Sequence, residues 1–138
     1  MKKFTILCCI IATISCASEN EITPDNSLST KEKSEGWSLL FNGKDMSQWK
    51  NFKKNTINPE WIVKDNCMVL SAKGAGDLIT KKQYSSFDLK LEWKISEKGN
   101  SGIFIMADEK GHKIYSHAPE IQILDNERHR DRKKPNHR

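Results

Sequence analysis

The sequence predicts an all-β fold, a sandwich or barrel of short antiparallel strands. In "FDLKLEWKI", residues 87–95, apolar and charged residues alternate strictly, the pattern of a strand with one face in a core and one in water. Turn signals at Asn42-Gly43, Lys64-Asp65-Asn66 and Glu97-Lys98-Gly99-Asn100 separate short apolar runs. Beyond the N-terminal segment no stretch carries a helical period, and no internal repeat is present.

The chain opens "MKKFTILCCIIATISCASEN", two lysines before an apolar run from Phe4 to Ile14. That run is short of the roughly 20 residues a membrane-spanning helix needs, and it reads as a secretory signal, residues 1–15. Cys16 directly after Ser15 is where a bacterial lipoprotein is cleaved and acylated, although Thr13 stands where the lipoprotein pattern usually has Leu. The expectation is lipidation at Cys16, with acyl chains anchoring the protein to a membrane at about 0.8 kcal/mol per buried methylene. Plain secretion is the alternative. Residues 16–35 are polar, with one proline and no aromatic residue. They read as a flexible tether, with order beginning at Gly36.

The domain then unfolds in order. "WSLLFNGKDMSQW" sets Trp37, Leu39 and Phe41 on one alternating face before the Asn42-Gly43 turn. "EWIVKDNCMVLSAKGAGDLIT" gives a hairpin about Lys64-Asp65-Asn66, then a glycine-punctuated turn. Residues 87–95 form the clearest strand, with Trp93 on its apolar face as a core residue. "NSGIFIMA" is nearly continuous apolar and suggests a strand covered on both faces. "APEIQILDNERH", residues 118–129, alternates Ile121 and Ile123 with Glu120 and Gln122. The chain then stops without a closing element, so the ending reads as a cut within a longer domain.

Charge and cysteines exclude two function classes. The net charge of +5 equals that of "RHRDRKKPNHR", where six Lys/Arg stand against Asp131, so residues 1–127 balance to zero. No basic stripe with interleaved aromatics runs through the rest, and no nucleic-acid partner is expected. Cys8 and Cys9 leave with the signal and Cys16 would carry lipid. Cys67 alone remains, in "CMVL", and reads as a small buried hydrophobe rather than a nucleophile.

Several motifs dissolve on inspection. "GAGD" at 74–77 lacks the Gly-Lys-Ser/Thr of a phosphate cradle. "GNSG" at 99–102 lacks the spacing of a nucleophile elbow, leaving Ser101 as a turn residue. His112 and His117 lie five apart with no ligand companion, which does not indicate a metal site. Glu120, Gln122 and Asp125 remain. In a regular strand residues 120 and 125 face opposite ways, so bringing Asp125 beside Glu120 needs a bulge. Five strand residues span about 16 Å, which disfavours an ordinary glycosidase carboxylate pair and favours a single positioned base. On periodicity alone, a polar outer face ending in an Asp125-Asn126 turn is the simpler reading.

Four motifs in order, "WSLLFNGKDMSQW", "GDLITKKQYSSFDLKLEWKI", "GNSGIFI" and "PEIQILDNERH", resemble those of the 3-keto-disaccharide hydrolase domain family. The likeness runs from about Trp37 to Arg138, so residues 36–138 would be the N-terminal part of such a domain. It implies a concanavalin A-like jelly-roll β-sandwich, exported or lipid-anchored at the envelope of a Gram-negative bacterium. It also implies action on glycosides oxidised to a ketone at C3, supplied by an upstream sugar oxidoreductase. Abstraction of the C2 proton, elimination at C1 and hydration would give net hydrolysis. By this resemblance Glu120 is the base, and Asn100, Gln122 and Asn126 bind hydroxyls or the carbonyl. Asp125 and His129 would orient a partner, bind a metal or supply the acid. No organic cofactor is expected; a divalent metal as the enolate's electrophile is left open. The rivals are a lectin-like carbohydrate-binding module, using Trp49, Trp61 or Trp93, and a fragment that exposes sheet edges and does not fold alone.

Overall fold

A computed structural model describes residues 22–134. The expectations for residues 1–15 and for Cys16 lie outside them. The described chain is all-β apart from two short helical turns, and its strands pair only antiparallel.

A helix, α1, spans Thr30–Ser34 inside the segment expected to be a tether. Its cause is local. Ser29 and Glu32 form a reciprocal capping box, each side chain reaching the other's backbone N–H. At the far end the Trp37 N–H donates to the Glu32 carbonyl and the Gly36 N–H to that of Lys33. Gly36 supplies the positive φ of 86° that this closure requires.

Trp37, Leu39 and Phe41 do not form a ladder. Side chains stand in for it: Trp49 Nε1 donates to the Leu40 carbonyl at 2.6 Å and Gln48 Nε2 to that of Leu39 at 3.0 Å. The Asn42-Gly43 turn is present, with Gly43 at φ 78°. Asn42 Oδ1 accepts from the Lys44 and Asp45 N–H groups.

β1 (Trp49–Asn51) pairs with β4 (Leu78–Thr80). Asn51, 2 % exposed, is the buried centre of this region. Its Nδ2 donates to the Ala75 and Asp77 carbonyls, and its Oδ1 accepts from the Asn58 N–H at 2.6 Å. One amide thus staples the 52–58 loop to the glycine-punctuated turn. On the other side of β1, Lys50 pairs with Glu109 at 2.7 Å, and Glu109 also accepts from the Lys53 N–H.

β2 (Trp61–Lys64) and β3 (Cys67–Leu70) form the expected hairpin. Asp65 and Asn66 both take positive φ, as a two-residue turn between right-twisted strands demands. Cys67 is exposed and not buried, because it lies next to that turn, at the tip of the hairpin.

Residues 87–95 depart furthest from expectation. They run without a ladder partner among the described residues, and Phe87, Leu89, Leu91 and Trp93 are exposed. Alternation fixes which side chains share a face, but a strand exists only where a second backbone accepts its hydrogen bonds. Their charged side contacts the N-terminal segment instead: Lys90 Nζ lies 4.1 Å from the Trp37 ring and 3.9 Å from Glu32.

After a turn closed by the Gly99 N–H on the Ser96 carbonyl, β5 (Asn100–Phe104) pairs with β6 (Glu120–Leu124). Ser101 is therefore a strand residue, not a turn residue. β5 is exposed at Asn100 and Ser101 and only half-buried from Gly102 on, so it is not covered on both faces. A 3-10 turn at Ile114–Ser116 interrupts the connection. The apolar residues buried outright among those described are Ala75, Ile114 and Ile123.

Candidate active site

The register of β5 and β6 decides which side chains meet. Gly102 stands opposite Gln122, Asn100 opposite Leu124 and Phe104 opposite Glu120. Opposed residues share a face, so Glu120, Gln122, Asn100 and Gly102 project to one side together with Phe104 and Leu124, and Ile121, Ile123, Ser101 and Ile103 to the other. Ile123 is buried, Ile121 on its face is exposed, and Glu120, Gln122 and Asn100 are all exposed and accessible.

Glu120 lies over Gly102. A methyl group on Gly102 would come within 2.6 Å of the Glu120 Cγ and Cδ. The missing side chain at 102 is the space the carboxylate uses. Among the described residues no hydrogen-bond donor or cation engages that carboxylate, so both oxygens are free to accept. Beside it, Gln122 Nε2 donates to Asn100 Oδ1 at 2.8 Å and to the Ser101 carbonyl at 3.0 Å. This turns the Asn100 amide oxygen to Gln122, and among the described residues its Nδ2 has no acceptor. It also leaves Gln122 Oε1 as a free acceptor.

Asp125 and His129 belong to the far end of β6. The register runs regularly through Leu124 with no bulge, so Asp125 follows the strand and does not return to the Glu120 face. A regular strand places it about 16 Å from Glu120 along the chain. Its Oδ2 accepts from the Lys98 N–H at 2.7 Å and its Oδ1 from the Glu127 and Arg128 N–H groups. The Lys98 amide foremost holds its carboxyl below the usual aspartate range; desolvation opposes it, and the Glu127 and Arg128 amides add to the lowering. A carboxylate so engaged ties two turns together and is poorly suited to give up a proton near neutrality.

His129 Nδ1 accepts from the Asp131 N–H at 3.1 Å, which in the neutral ring leaves the proton on Nε2. The ring lines a groove of about 450 Å³ with Lys98, Arg128, Arg130 and Arg132. Asn126 is exposed in the turn. The six expected site residues therefore form two groups: Glu120, Gln122 and Asn100 together, and Asp125, Asn126 and His129 beyond the strand end. Gly102 is a site residue that the sequence does not single out; its position opposite Gln122 in the "NSG" run is the signal that carries it.

No three His, Cys, Asp or Glu side chains gather as metal ligands among the described residues. Glu120 is the lone carboxylate on its face of the β5–β6 pair, so these two strands do not by themselves supply a ligand set for a divalent ion. A second hollow of about 600 Å³ lies against Trp49, Trp61, Asn55 and Asn58, and no β5 or β6 residue lines it. Both indole N–H groups there are taken up by backbone carbonyls, those of Leu40 and Gly76.

The antiparallel all-β scaffold thus presents one unengaged carboxylate, that of Glu120, beside the hydrogen-bonded Gln122–Asn100 pair. The chain belongs to the 3-keto-alpha-glucoside-1,2-lyase-like domain family, whose model matches residues 36–138. It is 32 % identical to a 3-keto-disaccharide hydrolase of Bacteroides thetaiotaomicron, over 96 % of this chain and 61 % of that protein. It is also similar to the crystal structure of a candidate glycosyl hydrolase from Parabacteroides distasonis. That likeness has a TM-score of 0.62 and 32 % identity, and covers 77 % of this chain and 49 % of the other. The chain thus spans about three-fifths of the curated relative and half of the solved one. Its fold is all-β, of the jelly-roll class.

Proposed function

We propose that this chain carries the base-bearing part of an enzyme that cleaves 3-keto-glycosides, with Glu120 as the base. The observation that carries the reading is the Glu120 carboxylate, unengaged and lying over Gly102 beside the Gln122–Asn100 pair. Membership in the family and the name of the Bacteroides relative supply the substrate class.

A ketone at C3 acidifies the C2 proton. Glu120 takes that proton, and the C2–H electron pair becomes the C2=C3 bond of an enolate with its charge on the C3 oxygen. The Asn100 Nδ2 donor meets that oxygen as charge develops, and Gln122 Oε1 accepts from a neighbouring sugar hydroxyl. The enolate then collapses: C3=O re-forms, C1=C2 forms, and the C1 substituent departs with its electron pair and takes up a proton. Water adds to C1 and a proton returns to C2, so the net change is hydrolysis. The departing oxygen lies one bond from C1, so it takes its proton from the protonated Glu120, which water then reloads as it adds. His129, past the far strand end, would contact only the distal part of a long leaving group, and Asp125 positions its turn. Asn126 would contact that same leaving group.

The chain acts, in this reading, at the envelope of a Gram-negative bacterium, anchored through acyl chains on Cys16 and downstream of a sugar oxidoreductase that makes the ketone. Support for this comes from the "MKKFTILCCIIATISC" start and from the chemistry of the substrate. Labelling with an alkyne fatty acid should mark the wild-type chain and not Cys16→Ala; equal labelling removes the anchor.

A non-catalytic carbohydrate-binding module is the second reading, favoured by the hollow between Trp49 and Trp61. The deciding experiment offers the chain a 3-keto-glucoside and an unoxidised glycan. Release of the aglycone, followed by NMR, supports the enzyme; binding of the unoxidised glycan with no turnover of the keto-sugar supports the module.

A further inference from the structure

Three contacts hold the segment ahead of residues 36–138 onto the rest of the chain. Asn26 Nδ2 donates to the Asn66 carbonyl at 2.9 Å. The same side chain lies against Gly43, where a methyl group would stand 3.2 Å from Nδ2. Asn26 therefore sits between the Asn42-Gly43 and Asp65-Asn66 turns, at a positive φ of 55° that asparagine tolerates. Farther along, Glu32 gives one oxygen to the Ser29 cap and turns the other to Lys90 at 3.9 Å. Lys90 in turn lies 4.1 Å from the centre of the Trp37 ring.

Exposed contacts of this kind are weak singly. These fall close together along residues 26–37, so each one formed holds the next at high effective concentration. Residues 16–35, expected to be a tether, are thereby docked from Asn26 on. The length of free chain changes accordingly. Ten residues, from Cys16 to Asn26, reach at most about 36 Å. Twenty, from Cys16 to Gly36, would reach about 72 Å. Docking halves the leash and moves its point of departure from Gly36 to the two turns that grip Asn26.

We infer that residues 26–37 are a strap that fixes which end of the domain meets the membrane: the end bearing the Asn42-Gly43 and Asp65-Asn66 turns is held close to the lipid surface. This rests on the acyl anchor at Cys16 proposed above. Cys67 supplies a reporter at the right place. It is exposed and follows Asn66 directly, at the tip of the β2–β3 hairpin. With Cys8 and Cys9 gone with the signal and Cys16 acylated, it is the one free thiol of the sequence.

The experiment places the full acylated chain, with a donor dye on Cys67, in vesicles of neutral phosphatidylcholine that carry an acceptor dye on a fraction of the headgroups. Two variants accompany the wild type. Asn26→Ala with Lys90→Ala releases the strap; ten Gly-Ser residues inserted after Glu21 lengthen the leash and leave the strap in place. Energy transfer should be strong in the wild type and fall by at least about half in each variant. Hydrogen exchange over residues 29–36 should be at least about tenfold faster in the released variant and unchanged in the lengthened one. Far-UV circular dichroism establishes that both are folded; where the released variant is not, the wild-type exchange and the lengthened chain decide. A chain that does not float with the vesicles overturns the anchor and this inference together. A chain that floats but gives equal transfer with the strap released or the leash lengthened overturns the strap and leaves the anchor standing. Exchange over residues 29–36 as fast as in an unstructured peptide does the same.

Discussion

Replacing Gly102 by Ala tests whether the space over β5 exists for the Glu120 carboxylate. The new methyl would lie 2.6 Å from Glu120 Cγ and Cδ, where ordinary carbon contacts begin near 3.4 Å. The side chain must therefore move by about 1 Å, and a displacement of that size at a reacting group lowers turnover about a hundredfold. Stability should move little and in the other direction. Gly102 is absent from the residues with positive φ, so alanine fits the backbone, and losing a glycine from the unfolded ensemble contributes about 0.4–1 kcal/mol. Glu120 is exposed and can swing aside at small cost. The assay is kcat/KM on a 3-keto-glucoside beside a urea unfolding curve. A Gly102→Ala protein that is stable and retains activity within about threefold of wild type refutes the placement of Glu120 as base.

Asn51→Ala should lower the unfolding free energy by about 2–5 kcal/mol, because the Ala75 carbonyl and the Asn58 N–H lose their partner, while the Asp77 carbonyl keeps the Phe52 N–H; tryptophan fluorescence in urea reads this, and a loss under about 0.5 kcal/mol would argue against the staple. Ser29→Ala removes the α1 cap and should cost about 1 kcal/mol, read as faster amide exchange at Glu32 and Lys33. The Asp45 carboxyl is held down to about 2, first by the Asn42 side chain and then by Ser47. Since the folded value lies below the unfolded one, the 42–47 turn keeps its full contribution above about pH 4 and loses it as pH falls through about 2. An NMR titration of Asp45 should show that low midpoint, and Asn42→Ala should raise it toward 3.8.

What could be read from the sequence was what depends on neighbours along the chain. Asp65-Asn66 announced the β2–β3 hairpin because positive φ at two successive residues is a local demand that few side chains meet. The alternation in "EIQIL" placed Glu120 and Gln122 on one face because the strand repeat is fixed by the backbone. What escaped reading was what depends on partners elsewhere. The alternation of 87–95 showed two faces but not whether a second backbone would lie alongside. Asn51, an amide in a polar stretch, gave no sign that it would be buried against carbonyls some 25 residues away. The α1 turn is a different kind of miss: Ser29 and Glu32 stand at capping-box spacing, but the polar composition of residues 16–35 outweighed that signal. Gly102 became meaningful only once Glu120 was seen lying over it.

The most direct measurement is exchange of the C2 proton of a 3-keto-glucoside in D₂O, followed by NMR, with the wild-type chain and with Glu120→Gln. Exchange reports proton abstraction alone, whether or not the aglycone leaves. Catalysed exchange by the wild type, slowed at least about a hundredfold in Glu120→Gln with folding unchanged, is the expected result. Equal exchange by the two proteins would contradict the assignment of Glu120 as the base.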